Sequence, residues 1–258
     1  MTGAAVTPPK ADVVGIPISM TSMPEVVALL ATPPRDRAAV IAVCNVHSVM
    51  SARRDPVLGA AIREATIATP DGMPLVWAIR AGARPDQARV AGPDLIVEAL
   101  RGGVETGLRH FFYGTTPETL DALRSAIRGI DERVEVVGML SPPFGPVTED
   151  MVERDSAVIA ASDPQVVWVG LGMPKQELWM AQAASRLPGT TLVGVGAAFD
   201  ILAGNQPRAP EWMQSAGLEW LFRLAHEPRR LWRRYVWNNP AFLVLLSGQI
   251  LRSRLRRR

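Results

Sequence analysis

The sequence predicts an α/β fold: a mostly parallel sheet with helices on both faces, plus a helical basic appendage at the C-terminal end. Three observations carry this. Short apolar runs alternate with helix-period segments from residue 38 to residue 195. The runs are rich in Val and Ile at successive positions, as strands buried on both faces require. Positive charge is concentrated at one end. Residues 223–258 hold ten arginines and one acid, Glu227, a net +9 in a chain that is +3 overall, which leaves −6 on residues 1–222.

In chain order, residues 38–44 read as a buried strand and 48–65 as a helix. Residues 66–69 read as a short strand ending at Pro70-Asp71-Gly72. Segments 74–81 and 93–101 each begin with proline, which favours the first turn of a helix. Strand and helix then alternate: strand 110–113, helix 117–128, strand 134–139, helix 148–161, strand 166–170, helix 176–185 and strand 191–195. This is a Rossmann-like succession, and ligands in such sheets bind beyond the carboxyl ends of the strands. The polar motifs follow those ends: Asn45, Asp71, Gly114-Thr115, the 170–177 segment and Gly196.

A chain of 258 residues, 48% hydrophobic, accommodates one large α/β domain or one domain with an appendage. Its single cysteine, Cys44, excludes an intramolecular disulfide framework and suits a reducing cytosol. Residues 1–14, with Pro8-Pro9-Lys10, carry no apolar signal core and are expected to be flexible. The apolar run 240–251 is shorter than the ~20 residues of a spanning helix and suits an interface instead. No His/Cys metal cluster and no Asp-x-Asp motif is present, so neither metal nor cofactor is expected.

Pro70-Asp71-Gly72 is a turn sequence first, but its place after a buried strand makes Asp71 a candidate general base toward a sugar hydroxyl. Asn45 suits a helix cap or an amide that reads a base or sugar. His47 reads as structural or exposed. Arg89 precedes a glycine turn and a helix start, where it can hold Asp71 or a phosphate or be a solvated surface charge; Asp94 suits the first turn of that helix. Gly170-Leu-Gly172-Met-Pro-Lys175-Gln176-Glu177 joins a strand to a helix, and its amides can bind an anion. It is neither a Walker loop nor GxGxxG. Lys175 and Gln176 can face a nucleotide there. The acidic pairs Asp131-Glu132 and Glu149-Asp150 do not follow strands and read as surface charge.

The basic end offers Arg223, Arg229, Arg230, Arg233 and Arg234, interleaved with Trp232, Tyr235, Trp237 and Phe242. Guanidinium groups suit a diphosphate because they stay charged and bind it with paired donors. On one helix, the spacing groups Arg223 and Arg230 with Arg233 or Arg234, whereas Pro228 suits the start of a new helix. The same charge suits an anchor on acidic lipid, at ~1 kcal/mol per basic residue near the surface. Nucleic acid is a further possible partner for a basic tail.

The ordered set Asn45, Pro70-Asp-Gly-Met-Pro74, Arg89-Val-x-Gly92-x-Asp94, Gly170-Leu-Gly-x-Pro-Lys-Gln-Glu177, Gly194-Val-Gly-Ala-Ala-Phe-Asp200, Arg208-Ala-Pro-x-Trp212, Gly217-Leu-Glu-Trp220 and Glu227-Pro-x-Arg230 resembles the WecG/TagA/CpsF glycosyltransferases over about residues 15–245. The resemblance implies inverting transfer of an N-acetylmannosamine-type sugar or other hexose from a UDP-sugar to a polyprenyl-diphosphate-linked sugar in cell-surface polysaccharide synthesis; with no metal motif in the chain, the transfer is expected to be metal-independent. It implies a peripheral protein on the cytoplasmic membrane face that meets an anionic lipid surface, with no nucleic-acid partner. It implies Asp71 as base with Arg223 and Arg230 as catalytic arginines, and substrate contacts from Asn45, Arg89, Gln176 and Arg233; Gly114, Gly172 and Lys175 are further candidate substrate contacts from their places after strand ends. Family members often carry threonine two residues before the asparagine, where this chain has Val43 and offers no hydroxyl. The expected division is a catalytic body at 15–204, an appendage at 205–245 that completes the site and docks to membrane, and a basic tail at 246–258. The alternative is a non-catalytic nucleotide-binding module with a lipid- or nucleic-acid-binding tail.

Overall fold

A computed structural model of the chain describes residues 7–255. The chain begins with an antiparallel hairpin, β1 (Lys10–Val13) and β2 (Ile16–Ser19), followed by helix α1 (Met23–Leu30). Strand β3 (Ala39–Cys44) enters the main sheet, then α2 (Val46–Arg54), α3 (Pro56–Glu64), β4 (Ile67–Pro70), α4 (Met73–Gly82) and α5 (Gly92–Gly103). Next come β5 (His110–Gly114), α6 (Pro117–Ile130), β6 (Val136–Leu140), α7 (Glu149–Ala161), β7 (Val166–Gly170), α8 (Lys175–Ala183) and β8 (Thr191–Gly194). Helices α9 (Ala198–Leu202), α10 (Glu211–Ser215), α11 (Glu219–His226) and α12 (Pro228–Leu255) complete the described chain.

The six strands β3 to β8 form one parallel sheet in the order β4-β3-β8-β7-β5-β6, so the expected α/β architecture is present. The period-2 geometry of a strand explains why its runs are apolar at every position. In β3, Val40, Ala42 and Cys44 face one core while Ala39 and Ile41 face the other. In β7, Val167 and Val169 face the first core, and Val166 and Trp168 the second. The first core is covered by the hairpin and by α2, α3, α4, α7 and α8, and the second by α1, α5, α6 and α9.

Three features differ from the sequence expectation. The segment expected to be flexible contains β1, whose hairpin turn places Val14 and Gly15 at φ 46° and 90°. A two-residue turn of this kind is signalled by Asn-Gly or Asp-Gly, and Val-Gly carries no such signal. Residues 1–6 of that expected segment lie outside the described residues, as do Arg256, Arg257 and Arg258 of the basic tail. The single helix expected over 48–65 is two, because Pro56 starts a new one and the Asp55 side chain accepts from the amides of Val57 and Leu58 at 2.9 and 3.2 Å. The last part of the appendage and the start of the tail form one continuous helix, α12, which passes through Pro240 although the ring removes the donor for the Val236 carbonyl.

Helix α12 is held to the body along one stripe. Leu231, Tyr235, Asn238 and Phe242 are buried at spacings of four, three and four, and Phe242 enters the first core. Near its far end, Gln249 accepts from the Val14 amide at 2.7 Å and donates to the Asp12 carbonyl at 2.6 Å. The opposite face exposes Trp232, Val236, Trp237 and Val244. Among the described residues, no helix is long and apolar enough to cross a membrane.

Candidate active site

The parallel register brings the loops after β3, β4, β7 and β8 to one edge of the sheet. The Asp71 amide donates to the Cys44 carbonyl at 2.8 Å, continuing the β3–β4 pairing by one residue and fixing Asp71 beside Asn45. Asn45 caps α2, its Oδ1 accepting from the amides of His47 and Ser48 at 3.0 and 3.2 Å, while Ser48 Oγ accepts from the Asn45 amide at 3.3 Å. The cap role is therefore real. Asn45 also borders both cavities of the site. Gly72 lies against it, since a Cβ there would sit 3.4 Å from Asn45 Cβ.

Arg89 is placed by its neighbour, because the Val90 amide donates to the Pro70 carbonyl at 3.1 Å and Thr69 Oγ1 donates to the Val90 carbonyl at 3.2 Å. Its guanidinium then spans body and appendage. Nε donates to the Asp71 carbonyl, Nη2 to Asp71 Oδ1 at 3.1 Å and to Glu219 Oε2 at 2.6 Å, and Nη1 to Gln214 Oε1 at 3.0 Å. A second arginine, Arg208, joins Asp94 at 2.6 Å and Gln214 at 3.0 Å. Asp71 Oδ2 has no hydrogen-bond partner among the described residues. Burial pushes the Asp71 carboxyl above the usual carboxylate range; Arg89 opposes this, Glu219 adds to it, and Arg223 opposes it.

Two cavities meet at Asp71. The first, of about 290 Å³, lies between α4, α11 and α12 and has an apolar wall of Met73, Trp77, Leu218, Trp220, Tyr235 and Phe242. The second, of about 450 Å³, lies over the strand ends and is lined by Asn45, Ser48, Gly172, Gln176, Glu177 and Asp200, with Arg223, Arg230 and Arg234 above them. Asn45, Asp71, Arg89, Glu219, Arg223 and Arg234 border both. On the floor of the polar cavity, Gln176 Nε2 donates to Glu177 Oε1 at 2.9 Å, and Gln176 Oε1 and Glu177 Oε2 have no partner among the described residues. Burial pushes the Glu177 carboxyl up. Gly194 leaves room for this pair, since its Cβ would fall 3.0 Å from Gln176 Nε2.

The arginines come from two helices rather than one. Pro228 starts α12, so Arg223 belongs to α11 while Arg230 and Arg234 lie four apart on α12. Arg230 pairs with Glu227 at 2.9 Å. Arg234 has no acidic partner among the described residues, and its Nε is buried without a hydrogen bond. Burial, together with the charges of Arg223 and Arg230, lowers it to about 10. A desolvated cation without a counter-ion, beside two further arginines on a cavity wall, has the charge that suits an anion.

Of the sequence-predicted site residues, Asp71, Asn45, Arg89, Gly172, Gln176, Arg223 and Arg230 line the cavities. Three lie off them. Arg233 is exposed, its guanidinium over the Trp232 ring, because the stripe that packs α12 on the body turns residue 234 inward. Lys175 Nζ lies over the exposed Phe144 ring at 4.1 Å. Gly114 ends β5 at φ 124°, where a Cβ would fall 2.7 Å from the Gly170 carbonyl oxygen, so it serves close strand approach. The individual residues that sequence reasoning missed were Glu219, Gln214, Glu177 and Asp200. All but Gln214 stand inside motifs already noted, where spacing says nothing of which member faces inward. Among the described residues, no group of three or more His, Cys, Asp or Glu is arranged to hold a metal ion.

Comparison with known proteins places the chain in a family. The model of the glycosyl transferase WecG/TagA/CpsF family matches residues 11–257. A Bacillus spizizenii protein named N-acetylglucosaminyldiphosphoundecaprenol N-acetyl-beta-D-mannosaminyltransferase is 32% identical over 204 residues, covering 78% of this chain and 76% of its own. With the match spanning both the strand-end motifs and the arginine-bearing helices, the chain belongs to the WecG/TagA/CpsF family of glycosyl transferases.

Proposed function

We propose that the protein transfers an N-acetylmannosamine-type sugar, or another hexose, from a UDP-sugar to a sugar carried on a polyprenyl diphosphate, with inversion at the anomeric carbon. The observation that carries this reading is the meeting of a polar and an apolar cavity at one carboxylate. The donor fits the polar cavity, its diphosphate toward Arg223, Arg230 and Arg234 and its sugar toward Gln176 and Asn45. The acceptor sugar fits the apolar cavity, with Trp77 and Trp220 at its faces.

Asp71 Oδ2 takes the proton of an acceptor hydroxyl. The hydroxyl oxygen forms a bond to the anomeric carbon from the side opposite the diphosphate. The bond from that carbon to the diphosphate oxygen breaks, and its electron pair leaves with UDP. The arginines stabilise the charge that develops on the leaving group, the role a metal ion fills in other sugar-nucleotide enzymes. No metal or cofactor is needed in this reading. Residues 15–204 form the catalytic body and 205–245 the appendage that closes the site.

The outer face of α12 supports docking on an anionic lipid surface at the cytoplasmic side. It exposes Arg229, Arg233 and Arg252 together with Trp237 and Val244, which are 70% and 73% exposed. The test is transfer from a panel of UDP-sugars to a short polyprenyl-diphosphate-GlcNAc analogue, using the full chain and Asp71→Asn. Transfer that Asp71→Asn lowers by ~10²–10⁴ supports the reading. Normal turnover by Asp71→Asn removes the base assignment, and UDP binding without transfer from any donor favours the non-catalytic module.

A further inference from the structure

Arg89 Nη2 serves two carboxylates at once, and the shorter bond goes to the appendage. It is 2.6 Å from Glu219 Oε2 and 3.1 Å from Asp71 Oδ1. Gln214, also from the appendage, takes Nη1 at 3.0 Å. Without α10 and α11, the Asp71 side chain would be the acid nearest this guanidinium. An arginine held by one aspartate alone makes that aspartate a weak base, lowering its proton affinity by roughly 1–3 pK units.

We propose that Glu219 is a positioning residue for the transfer step: docking of the appendage sets Glu219 against Arg89, draws the guanidinium toward itself and leaves Asp71 a stronger base. This rests on the reading of Asp71 as the base. The device ties base strength to closure. The same helix that carries Glu219 brings Arg223, and α11 packs on α12 through Trp220 and Tyr235, whose rings are 5.7 Å apart. Asp71 therefore becomes an effective proton acceptor only when the arginines that receive the leaving group are also in place, which limits transfer to water from an open site.

The groups around Asp71 are consistent with a charge balance that Glu219 tips. From the segment before α5 comes Arg89, from α11 Glu219 and Arg223, and from α12 Arg234. From β3 comes the buried Cys44 thiol, which burial keeps protonated, and from α2 comes His47, kept neutral. Asp94, paired with Arg208, acts on Arg89 from α5. Among these, Glu219 is the carboxylate that shares a guanidinium nitrogen with Asp71.

The test uses the full chain with Glu219→Gln, which keeps an oxygen acceptor for Arg89 but removes the charge, and Glu219→Asp, which keeps the charge. Two quantities are read between about pH 5 and 9: kcat/KM for transfer, and the Asp71 carboxyl titration by carbon NMR. The expected result is an acid limb and an Asp71 titration that move down by about half a pH unit or more in Glu219→Gln. Its kcat falls several-fold while the donor KM holds, and Glu219→Asp restores both. An acid limb and titration that stay in place or rise would overturn the proposal. So would a raised donor KM at unchanged kcat. Asp71→Asn with normal turnover removes the base reading itself, whereas inactive Asp71→Asn with an unmoved titration in Glu219→Gln removes only the role of Glu219.

Discussion

Asn238 of α12 donates to His47 Nδ1 at 2.9 Å, joining the appendage to the first turn of α2, which Asn45 caps. Nδ1 must be unprotonated to accept this bond. Burial, with the charges of Arg234 and Arg54 behind it, lowers His47 to about 3. The folded state therefore prefers the neutral ring, and its stability is whole above the unfolded value near 6.5 and is lost as pH falls from there toward 3. Proteolysis of α12 and thermal unfolding followed over that range should report progressive loosening, and His47→Gln should flatten the dependence. An unchanged slope in His47→Gln would assign the effect to other groups.

Arg234→Ala should lower kcat by ~10²–10³, the cost of removing one donor aimed at developing charge. Arg233→Ala should leave turnover of a soluble acceptor analogue near normal, since that guanidinium lies over Trp232 on the outer face. Steady-state kinetics of the two variants side by side separates them, and equal losses would contradict the inward assignment of Arg234.

Trp237→Ser with Val244→Ser removes two of the most exposed apolar side chains of α12 without touching its buried stripe. Sedimentation with anionic vesicles should fall several-fold, while thermal stability and transfer to a soluble analogue hold. If vesicle binding is unchanged, the arginines alone carry the lipid contact.

Gly114→Ala should destabilise the fold by roughly 1–3 kcal/mol, because φ 124° suits only glycine and the new methyl meets the Gly170 carbonyl. The measurement is the melting temperature together with UDP affinity. A loss of affinity at full stability would return Gly114 to the binding site.

Much of the body was legible because its signals are local. A strand buried on both faces must be apolar at each position, as β3 and β7 are, and proline opened α4, α5 and α6 as read. The hairpin was hidden by its four-residue strands and its Val-Gly turn, and the α2–α3 break by an Asp-Pro pair inside a helical pattern. Asp71, Asn45, Gln176 and Arg89 were legible because each sits after a strand end or at or just before the first turn of a helix, where a parallel sheet gathers its polar groups.

The sequence by itself determined the sheet, the carboxylate at its edge and the basic end, since these follow from period, turn chemistry and charge count. Tertiary structure decided which arginine turns inward, that Glu219 reaches Arg89, and that an apolar cavity opens beside the polar one. Each depends on how α11 and α12 rotate and dock on the body. That rotation is set by the burial of Leu231, Tyr235, Asn238 and Phe242, and Asn238 meets His47, 191 positions away. No local pattern encodes a contact of that range.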